Sequence, residues 1–167
     1  MPSFDAALTA YQTLPQRVKS LMLSTVSADG NPHASYAPFT IDDTYQIYLL
    51  TSGLSAHTQH LLSTGRASVL IIEDESQTQQ VFARQRLTYD CQVIPIPRHS
   101  EGWEIQIAQM EARFGPIIAM LRQLEDFQLF RLSPQAGRFV MGFGAAYAVD
   151  PNNLSQLQAG AITGEAS

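Results

Sequence analysis

The sequence predicts a mainly β fold in which about six antiparallel strands form a small closed barrel with added helices. Turn residues separate short apolar or alternating stretches between residues 21 and 94, and two more such stretches follow residue 126. Helical spacing is confined to the N-terminus, to a short segment after residue 55 and to one late insertion. This order of elements favours a single folding unit of the barrel type.

The first elements are a predicted amphipathic helix over residues 4–20, which Pro15 interrupts, and a hairpin. The apolar side of the helix is formed by Phe4, Ala7, Leu8 and Tyr11. The two hairpin strands are expected at residues 21–27 and 33–39. Asp29-Gly30 lies between them and predicts a two-residue turn, because both residue types accept positive φ.

The middle of the chain alternates strands with one short helix. Three strands are predicted, at residues 45–51, 67–72 and 81–94. The second of them is a continuous apolar run, as expected for a strand buried on both faces. Ser55 is the predicted N-cap of a helix over residues 56–63, which ends near Gly65. Pro95 and Pro97 are expected to end the long strand.

The late insertion contains two predicted helices. Ser100 caps the first, and its apolar face is formed by Trp103, Ile107, Met110 and Phe114. Gly115 ends it, and Pro116 suits the first turn of a second helix through Leu124. Two more strands follow, at residues 127–132 and 138–142. One short helix around residues 154–157 is expected in the tail.

Composition narrows the functional classes. The 167 residues are 45% hydrophobic and 15% charged, which indicates a folded globular chain. A net charge of −5 disfavours general binding to nucleic acid or anionic membranes. Lys19 is the only lysine, so Schiff-base and P-loop chemistry have almost no candidate. Cys91 is the only cysteine, which excludes an internal disulfide and favours a packed, inert thiol.

The N-terminal residues show no charged-then-apolar pattern of a signal peptide. No apolar run in the sequence has the length that a membrane-spanning helix needs. The sequence alone therefore predicts a cytoplasmic location.

An unusual pair of arginines falls in the strand predicted over residues 81–94. With a period of two, one face carries Arg84, Arg86, Thr88 and Asp90, and the other carries Gln85, Leu87, Tyr89 and Cys91. Guanidinium groups bind carboxylates and phosphates through paired donors, so the arginine face is a candidate docking place for an anion. The alternative is an exposed strand face whose arginines pair with nearby carboxylates.

The start of the helix at Ser55 is a second candidate anion site. The first turn of a helix presents unpaired N–H groups, which favour a phosphate or carboxylate. Ser52, His57 and Thr58 are close in sequence and add polar side chains. The alternative is an ordinary capped helix.

Three other motifs are interpreted as ordinary structure. His57 and His60 have the spacing of two metal ligands on a helix, but the sequence offers no obvious third ligand, which favours surface or interface histidines. Glu73-Asp74-Glu75 is interpreted as a solvated turn and not as a cation site. Gly142-Phe143-Gly144 is interpreted as a tight turn and not as a dinucleotide fingerprint.

Several segments carry a family resemblance, in order across most of the chain. They are residues 35–39, 72–75, 82–90, 107–110 with 113–115, 124–127 with 129–132, and 142–144. Through them the chain resembles the split-barrel superfamily of pyridoxamine-phosphate oxidase and other flavin-mononucleotide (FMN) proteins, and most of all its heme-utilisation branch, the HutZ/HugZ type. The resemblance implies a six-stranded antiparallel split β-barrel that forms a homodimer with the cofactor site between subunits. It divides the chain into an N-terminal helical segment (1–20), the barrel (21–148) and a tail (149–167).

For the heme-utilisation branch, the resemblance places Arg86 near the heme and Asp126 in support of the axial histidine. If heme binds, we expect Arg84 and Arg86 to anchor its propionates. The axial histidine comes from the C-terminal tail in the relatives, whereas this chain has no histidine after His99. A histidine matching His57 is also present in the branch. His57 is therefore the nearest candidate for contact with the heme iron.

For the flavin relatives, the resemblance points to the helix after the third strand. Those proteins bind the flavin phosphate with an Arg-Lys pair, where this chain has Ser55-Ala56-His57-Thr58. If flavin binds, we expect Ser55, Thr58 and Arg86 at the phosphate and Tyr36 near the ring.

Three functions remain open on the sequence. The first is heme binding or processing at a dimer-interface site. The second is an FMN-dependent oxidoreductase in which the flavin carries the redox chemistry. The third is a cofactor-free dimer with a binding or regulatory role. Any catalysis would be that of an oxidoreductase, heme-degrading or flavin-dependent. The expected partners are a second copy of the chain and a small planar anionic cofactor, heme or FMN, but no nucleic acid and no membrane.

Overall fold

Eight strands and four α-helices are present in residues 3–160, the part of the chain that the computed structural model describes. In chain order they are α1 (Phe4–Arg17), β1 (Ser20–Val26), β2 (Pro32–Pro38), β3 (Thr40–Ile41), β4 (Ile47–Ser52), α2 (Ala56–Thr64), β5 (Arg66–Ile72), β6 (Arg86–Ile96), α3 (Glu101–Phe114), α4 (Ile117–Leu121), β7 (Phe127–Gly142) and β8 (Ala145–Ala148). The mainly β fold is as predicted, with eight strands where six were expected. Two 3-10 turns, Glu75–Gln77 and Val81–Ala83, lie between β5 and β6.

All strand pairs are antiparallel, and the sheet has the order β2-β1-β5-β6-β7-β4-β3, with β8 paired to β7. Within residues 3–160 the two end strands, β2 and β3, do not pair with each other. The prediction of a closed barrel is therefore wrong, because β3 has only two residues and offers little edge for pairing. The sheet curls around one core and remains split.

The main core lies inside the curled sheet and is closed at one side by α1. Its largest fully buried side chains include Tyr11, Leu23, Tyr89, Phe130 and Phe139. The predicted apolar side of α1 is confirmed: Ala7 and Tyr11 are buried, while Phe4 and Leu8 pack against the core. The helix continues through Pro15 to Arg17, with the Pro15 ring itself buried.

A second, smaller core lies outside the sheet, between β4, β7 and the helices α3 and α4. It consists of Tyr48, Trp103, Ile107, Met110, Ile118 and Leu129. The predicted cap of α3 is confirmed, since the backbone N–H of Trp103 donates to Ser100 Oγ at 3.2 Å. Helix α4 ends at Leu121, earlier than expected. Arg98 binds the carbonyls of Arg122 and Phe127 in the turn that follows.

Local turn chemistry was predicted correctly at two places and only in part at a third. Gly65 (φ 64°) ends α2 as expected. The hairpin between β1 and β2 is present and Gly30 has φ 85°, but the connection spans residues 27–31 and Asp29 does not adopt positive φ, so the predicted two-residue turn is wrong. Gly142-Phe143-Gly144 forms the turn between β7 and β8, with Gly144 at φ 67°. Each glycine adopts a left-handed conformation that other residues rarely take.

Several strand boundaries differ from the predictions. The strand expected at 45–51 begins at Ile47, because Tyr45 has a positive φ of 63°. The strand expected at 81–94 begins at Arg86, because residues 81–83 form a 3-10 turn, and it continues through Pro95 to Ile96. Strand β5 is buried on alternate residues only, so the prediction of burial on both faces is wrong for the single chain.

The two strands predicted after residue 127 are one strand, β7, of 16 residues. Pro134 is tolerated within it because the β6–β7 register shifts there: Asp90 pairs with Ala136 and Cys91 with Pro134. The short helix expected at residues 154–157 is absent from the described tail. Turns and an isolated bridge between Val149 and Leu157 replace it. No helix among the described residues is long and apolar enough to cross a membrane.

Candidate functional site

The arginines of the predicted anion-binding face are separated at the start of β6. Arg86 is the first residue of the strand, whereas Arg84 lies in the preceding turn. Arg84 Nε donates to the Glu73 carbonyl at 2.6 Å, and Arg84 Nη1 is 3.5 Å from the Glu75 carboxylate. The prediction that both arginines share one strand face is wrong. For Arg84 the alternative interpretation, an arginine paired with a nearby carboxylate, is correct.

Arg86 is bound less completely than Arg84. One of its terminal nitrogens, Nη1, donates to the Arg84 carbonyl at 3.0 Å, and its side chain is half-buried on the outer face of the sheet. The salt bridges formed by the described residues include none to Arg86. The remaining guanidinium donors of Arg86 are therefore the better placed for an anion.

The other face of β6 is buried, as the period of two predicted. Leu87, Tyr89 and Cys91 all lie in the core. Burial, followed by the charge of Asp90, raises the pKa of the Cys91 thiol to about 12. The thiol is therefore protonated and inaccessible, as expected for an inert packed cysteine.

Helix α2 places the second candidate group at the end of β4. Ser55 occupies the N-cap position, but its hydroxyl makes no capping hydrogen bond. Thr58 is fully buried, and its hydroxyl lies 2.8 Å from Thr51 Oγ1 and 2.6 Å from the Ser52 carbonyl. This geometry does not favour the predicted contact of Thr58 with a phosphate, because the hydroxyl faces the interior.

His57 is held by β2 in a defined tautomer. Its Nδ1 lies 3.1 Å from Ser35 Oγ, and the Ser35 hydroxyl donates to the Leu23 carbonyl at 3.2 Å. A hydroxyl has a single hydrogen, so the Ser35 oxygen must accept from His57 Nδ1–H. Neutral His57 then carries its lone pair on Nε2, the nitrogen that can bind a metal.

The surroundings of His57 favour its neutral form. Burial lowers the pKa of the imidazole below its ordinary value of 6.5, and the charges of His33 and His60 lower it further. A neutral imidazole is the form that coordinates iron or zinc. Near neutral pH, His57 therefore has the chemistry of a ligand.

His33 and His60 complete a group of three histidines that the sequence did not predict. Their ring centroids are 5.3 Å apart at an interplanar angle of 84°, and His60 Nδ1 is 3.0 Å from Thr25 Oγ1. His33 pairs directly opposite Thr25 in the β1–β2 hairpin. Among residues 3–160, no three or more His, Cys, Asp or Glu side chains form a ready metal site. The group is an open cluster between β2 and α2.

Asp126 lies just before β7 and is tied to the end of β4. Its Oδ2 accepts a hydrogen bond of 2.7 Å from Ser52 Oγ, and its carbonyl accepts one of 2.8 Å from Gly53 N–H. The cause is the pairing of Ser52 with Phe127 at the start of the β4–β7 ladder. Asp126 is thus near the first turn of α2.

Tyr36 lies on the outer face of β2 and is 56% exposed. It pairs with Met22, which is 50% exposed, and Met22 pairs in turn with the half-buried Leu70. These side chains form an apolar strip across three strands. No helix covers this strip in the described part of the chain.

The candidate residues Arg86 and Asp126 lie beside opposite ends of strand β7. Arg86 pairs with Val140, and Ser52 pairs with Phe127. The two positions on β7 are about 13 residues apart, or roughly 40 Å of strand at ~3.3 Å per residue. Arg86 and Asp126 therefore lie beside opposite ends of β7.

The sequence matches one protein family and one characterised relative over most of its length. Residues 8–141 match the family described as pyridoxamine 5'-phosphate oxidase. Heme oxygenase HutZ from Vibrio cholerae serotype O1 is 46% identical over 139 residues, which cover 83% of this chain and 78% of HutZ.

Two crystal structures have the same fold. HutZ, the heme storage protein from Vibrio cholerae, superposes with a TM-score of 0.75 at 42% identity over 81% of this chain and 96% of that one. Campylobacter jejuni ChuZ superposes with a TM-score of 0.84 at 27% identity, covering 99% of this chain and 66% of ChuZ. The split-barrel fold predicted from the sequence is therefore confirmed.

Proposed function

The chain belongs to the pyridoxamine 5'-phosphate oxidase family and to its heme-utilisation type, and from that membership we propose that it binds heme between two copies of itself. The observation that carries this proposal is the state of His57. Ser35 fixes its Nδ1–H, the lowered pKa keeps the ring neutral, and Nε2 is left for the iron. His57 is the iron ligand in this proposal.

The residues present fit an anionic porphyrin. Arg86 has guanidinium donors to offer a propionate, while Arg84 is largely committed to Glu73 and Glu75 and holds the turn beside it. Bound heme would supply an iron centre for oxygen and electron chemistry. The Vibrio relative is named a heme oxygenase. Heme degradation by this chain is therefore included in the proposal.

The proposal includes a second copy of the chain, because the family resemblance implies a cofactor site between subunits. Arg86 lies at one end of β7, while α2 follows the strand that pairs with its other end. The uncovered apolar strip of Tyr36, Met22 and Leu70 offers a surface on which a second copy can pack. We therefore propose a homodimer in which Arg86 of one copy and α2 of the other face the same cofactor.

Flavin is the second candidate, and one observation favours it. The Ser55 hydroxyl makes no capping bond, so it and the first N–H groups of α2 are available to a phosphate. The chain lacks the Arg-Lys pair of the flavin relatives, and Thr58 is buried. Because of these two differences from the flavin relatives, we favour heme over flavin as the ligand. A cofactor-free dimer is the remaining function if neither ligand binds.

A cytoplasmic location completes the proposal. The single cysteine, Cys91, is buried and unpaired, which suits a reducing compartment.

The experiment is a pair of absorbance titrations of the purified protein, one with hemin and one with FMN. We expect a saturable Soret band at one hemin per chain, a mass of two chains by light scattering, and no saturable flavin signal. Arg86→Ala should weaken hemin binding about tenfold. Arg122→Ala is the matched control, because Arg122 pairs with Glu104 beside α3 and should leave hemin binding unchanged. Saturable FMN binding without a specific hemin signal would overturn the heme proposal in favour of flavin.

A further inference from the structure

His33 and His60 face each other across the contact between β2 and α2. His33 lies on the inward face of β2 together with Ser35, and His60 lies on α2 three residues after His57. The two imidazole centroids are 5.3 Å apart and the rings are nearly perpendicular. The sequence separates the two residues by 27 positions, so strand pairing and helix packing create this proximity.

We infer that His33 and His60 form a binding site for a borderline divalent metal ion, of the zinc, nickel or copper class. Imidazole nitrogens are the ligands that these ions share. Two imidazoles bound to one tetrahedral zinc ion have ring centroids roughly 5 Å apart, since each Zn–N bond is ~2.0–2.1 Å. The observed centroid separation of 5.3 Å is close to this value.

The support around His60 is that of a metal-ligating histidine. Its Nδ1 is hydrogen-bonded at 3.0 Å to Thr25 Oγ1, and Thr25 is only 4% exposed. A bond to one ring nitrogen from a fixed group orients the imidazole, and Nε2 is the ring nitrogen of His60 without a hydrogen-bond partner among the described residues. His33 has no hydrogen-bond partner among the described residues, so its ring nitrogens are available.

The site is open, with two protein ligands. No third His, Cys, Asp or Glu in residues 3–160 completes a closed metal centre, so water would occupy the remaining positions. Two ligands on different elements would tie α2 to β2, and α2 also carries His57. Because this inference concerns the apoprotein, it does not depend on the proposal that heme binds.

Calorimetric titration of the untagged, cofactor-free protein with Zn²⁺ tests the site. We expect saturable binding of one ion per chain and a rise in the thermal midpoint at saturating Zn²⁺, since an ion that binds the folded state stabilises it. His33→Gln is the cleanest variant, because it removes no hydrogen bond, and it should lower the affinity by at least about tenfold. His60→Gln should do the same.

Two control variants separate this site from other histidines. His99→Gln should bind Zn²⁺ normally, because His99 is exposed and its charged neighbour is Glu104 in α3. His57→Gln should also retain binding, since the inferred ligands are His33 and His60. Absence of saturable Zn²⁺ binding, or unchanged affinity in a folded His33→Gln variant, would overturn the inference. Loss of binding in His99→Gln would overturn it as well.

Discussion

The Ser52 hydroxyl at the end of β4 donates a hydrogen bond of 2.7 Å to Asp126 Oδ2, and a backbone bond from Gly53 to Asp126 lies beside it. The two bonds fix the Asp126 carboxylate near the first turn of α2. Within the described residues, Ser52 is the side chain that binds it.

Ser52→Ala should therefore destabilise the protein modestly. The substitution removes the bond to the exposed Asp126 carboxylate and the 3.2 Å bond that Ser52 Oγ accepts from the Leu54 N–H. Each bond is worth about 0.5–1.5 kcal/mol, and each kcal/mol corresponds to about 2–4 °C in the thermal midpoint. Thermal unfolding followed by circular dichroism measures the change. Ser55→Ala is the matched control, because the Ser55 side chain makes no capping bond and its loss should alter the midpoint little.

Gly53→Ala should have a larger effect for a steric reason. A Cβ at Gly53 would lie 2.7 Å from the Asp126 carbonyl oxygen, so β4 and β7 would have to separate. We expect a loss of about 1–3 kcal/mol in the free energy of unfolding, measured in urea. Gly102→Ala should instead stabilise α3 by up to about 1 kcal/mol, because the nearest atom is 3.7 Å away. Equal effects of the two substitutions would contradict this account.

Much of this region could be predicted from local sequence, and the rest could not. The ends of α2 were predicted correctly from Ser55 and Gly65, because cap residues act over one helical turn. The exit of Arg84 from the strand was not predicted, because the 3-10 turn at residues 81–83 has no distinctive local pattern. The continuity of β7 was missed since a bulge that accommodates Pro134 depends on the register with β6.

A buried tyrosine pair anchors the tail to the core. Tyr11 donates to the Leu154 carbonyl at 2.5 Å, so Tyr89 must be the donor in its 2.5 Å contact with Tyr11. Burial raises the pKa of both phenols, so both remain protonated at neutral pH. This pairing joins α1, β6 and the described part of the tail.

Tyr11→Phe should therefore destabilise the protein by about 1–3 kcal/mol, because it leaves the Tyr89 hydroxyl and the Leu154 carbonyl without their partner. Chemical denaturation gives the free energy of unfolding. Tyr147→Phe provides the comparison: the Tyr147 hydroxyl makes no hydrogen bond within residues 3–160, so its removal should change that free energy by less than about 0.5 kcal/mol. A Tyr11→Phe protein as stable as the wild type would exclude the anchoring role.

Acidification should destabilise the protein through His57. Its folded-state pKa is lowered, so between that value and the ordinary 6.5 the unfolded chain binds a proton that the folded chain does not. Stability is then complete above 6.5 and falls as the pH falls below it. Urea midpoints between pH 5 and pH 7.5 measure this slope.

His57→Gln should flatten the dependence on pH, while His99→Gln, at an exposed position, should preserve it. An unchanged slope in the His57→Gln protein would show that other groups cause the acid sensitivity. The lowered pKa of His57 would then make no measurable contribution to the free energy of unfolding.

The histidine cluster shows most clearly what local sequence patterns miss. His57 and His60 were identified as a pair on one helix, but His33 is 24 residues earlier than His57, on β2. Only the β1–β2 register and the packing of α2 bring His33 against His60. The orienting bond that His57 donates to Ser35 Oγ has the same origin.

The most direct test of the central claim is the absorption spectrum of the hemin complex in the wild type, His57→Ala and His99→Ala proteins. If Nε2 of His57 binds the iron, His57→Ala will shift the Soret band and weaken hemin binding about tenfold or more, while His99→Ala will match the wild type. A His57→Ala complex with the wild-type spectrum and affinity would contradict the assignment of His57 as the iron ligand.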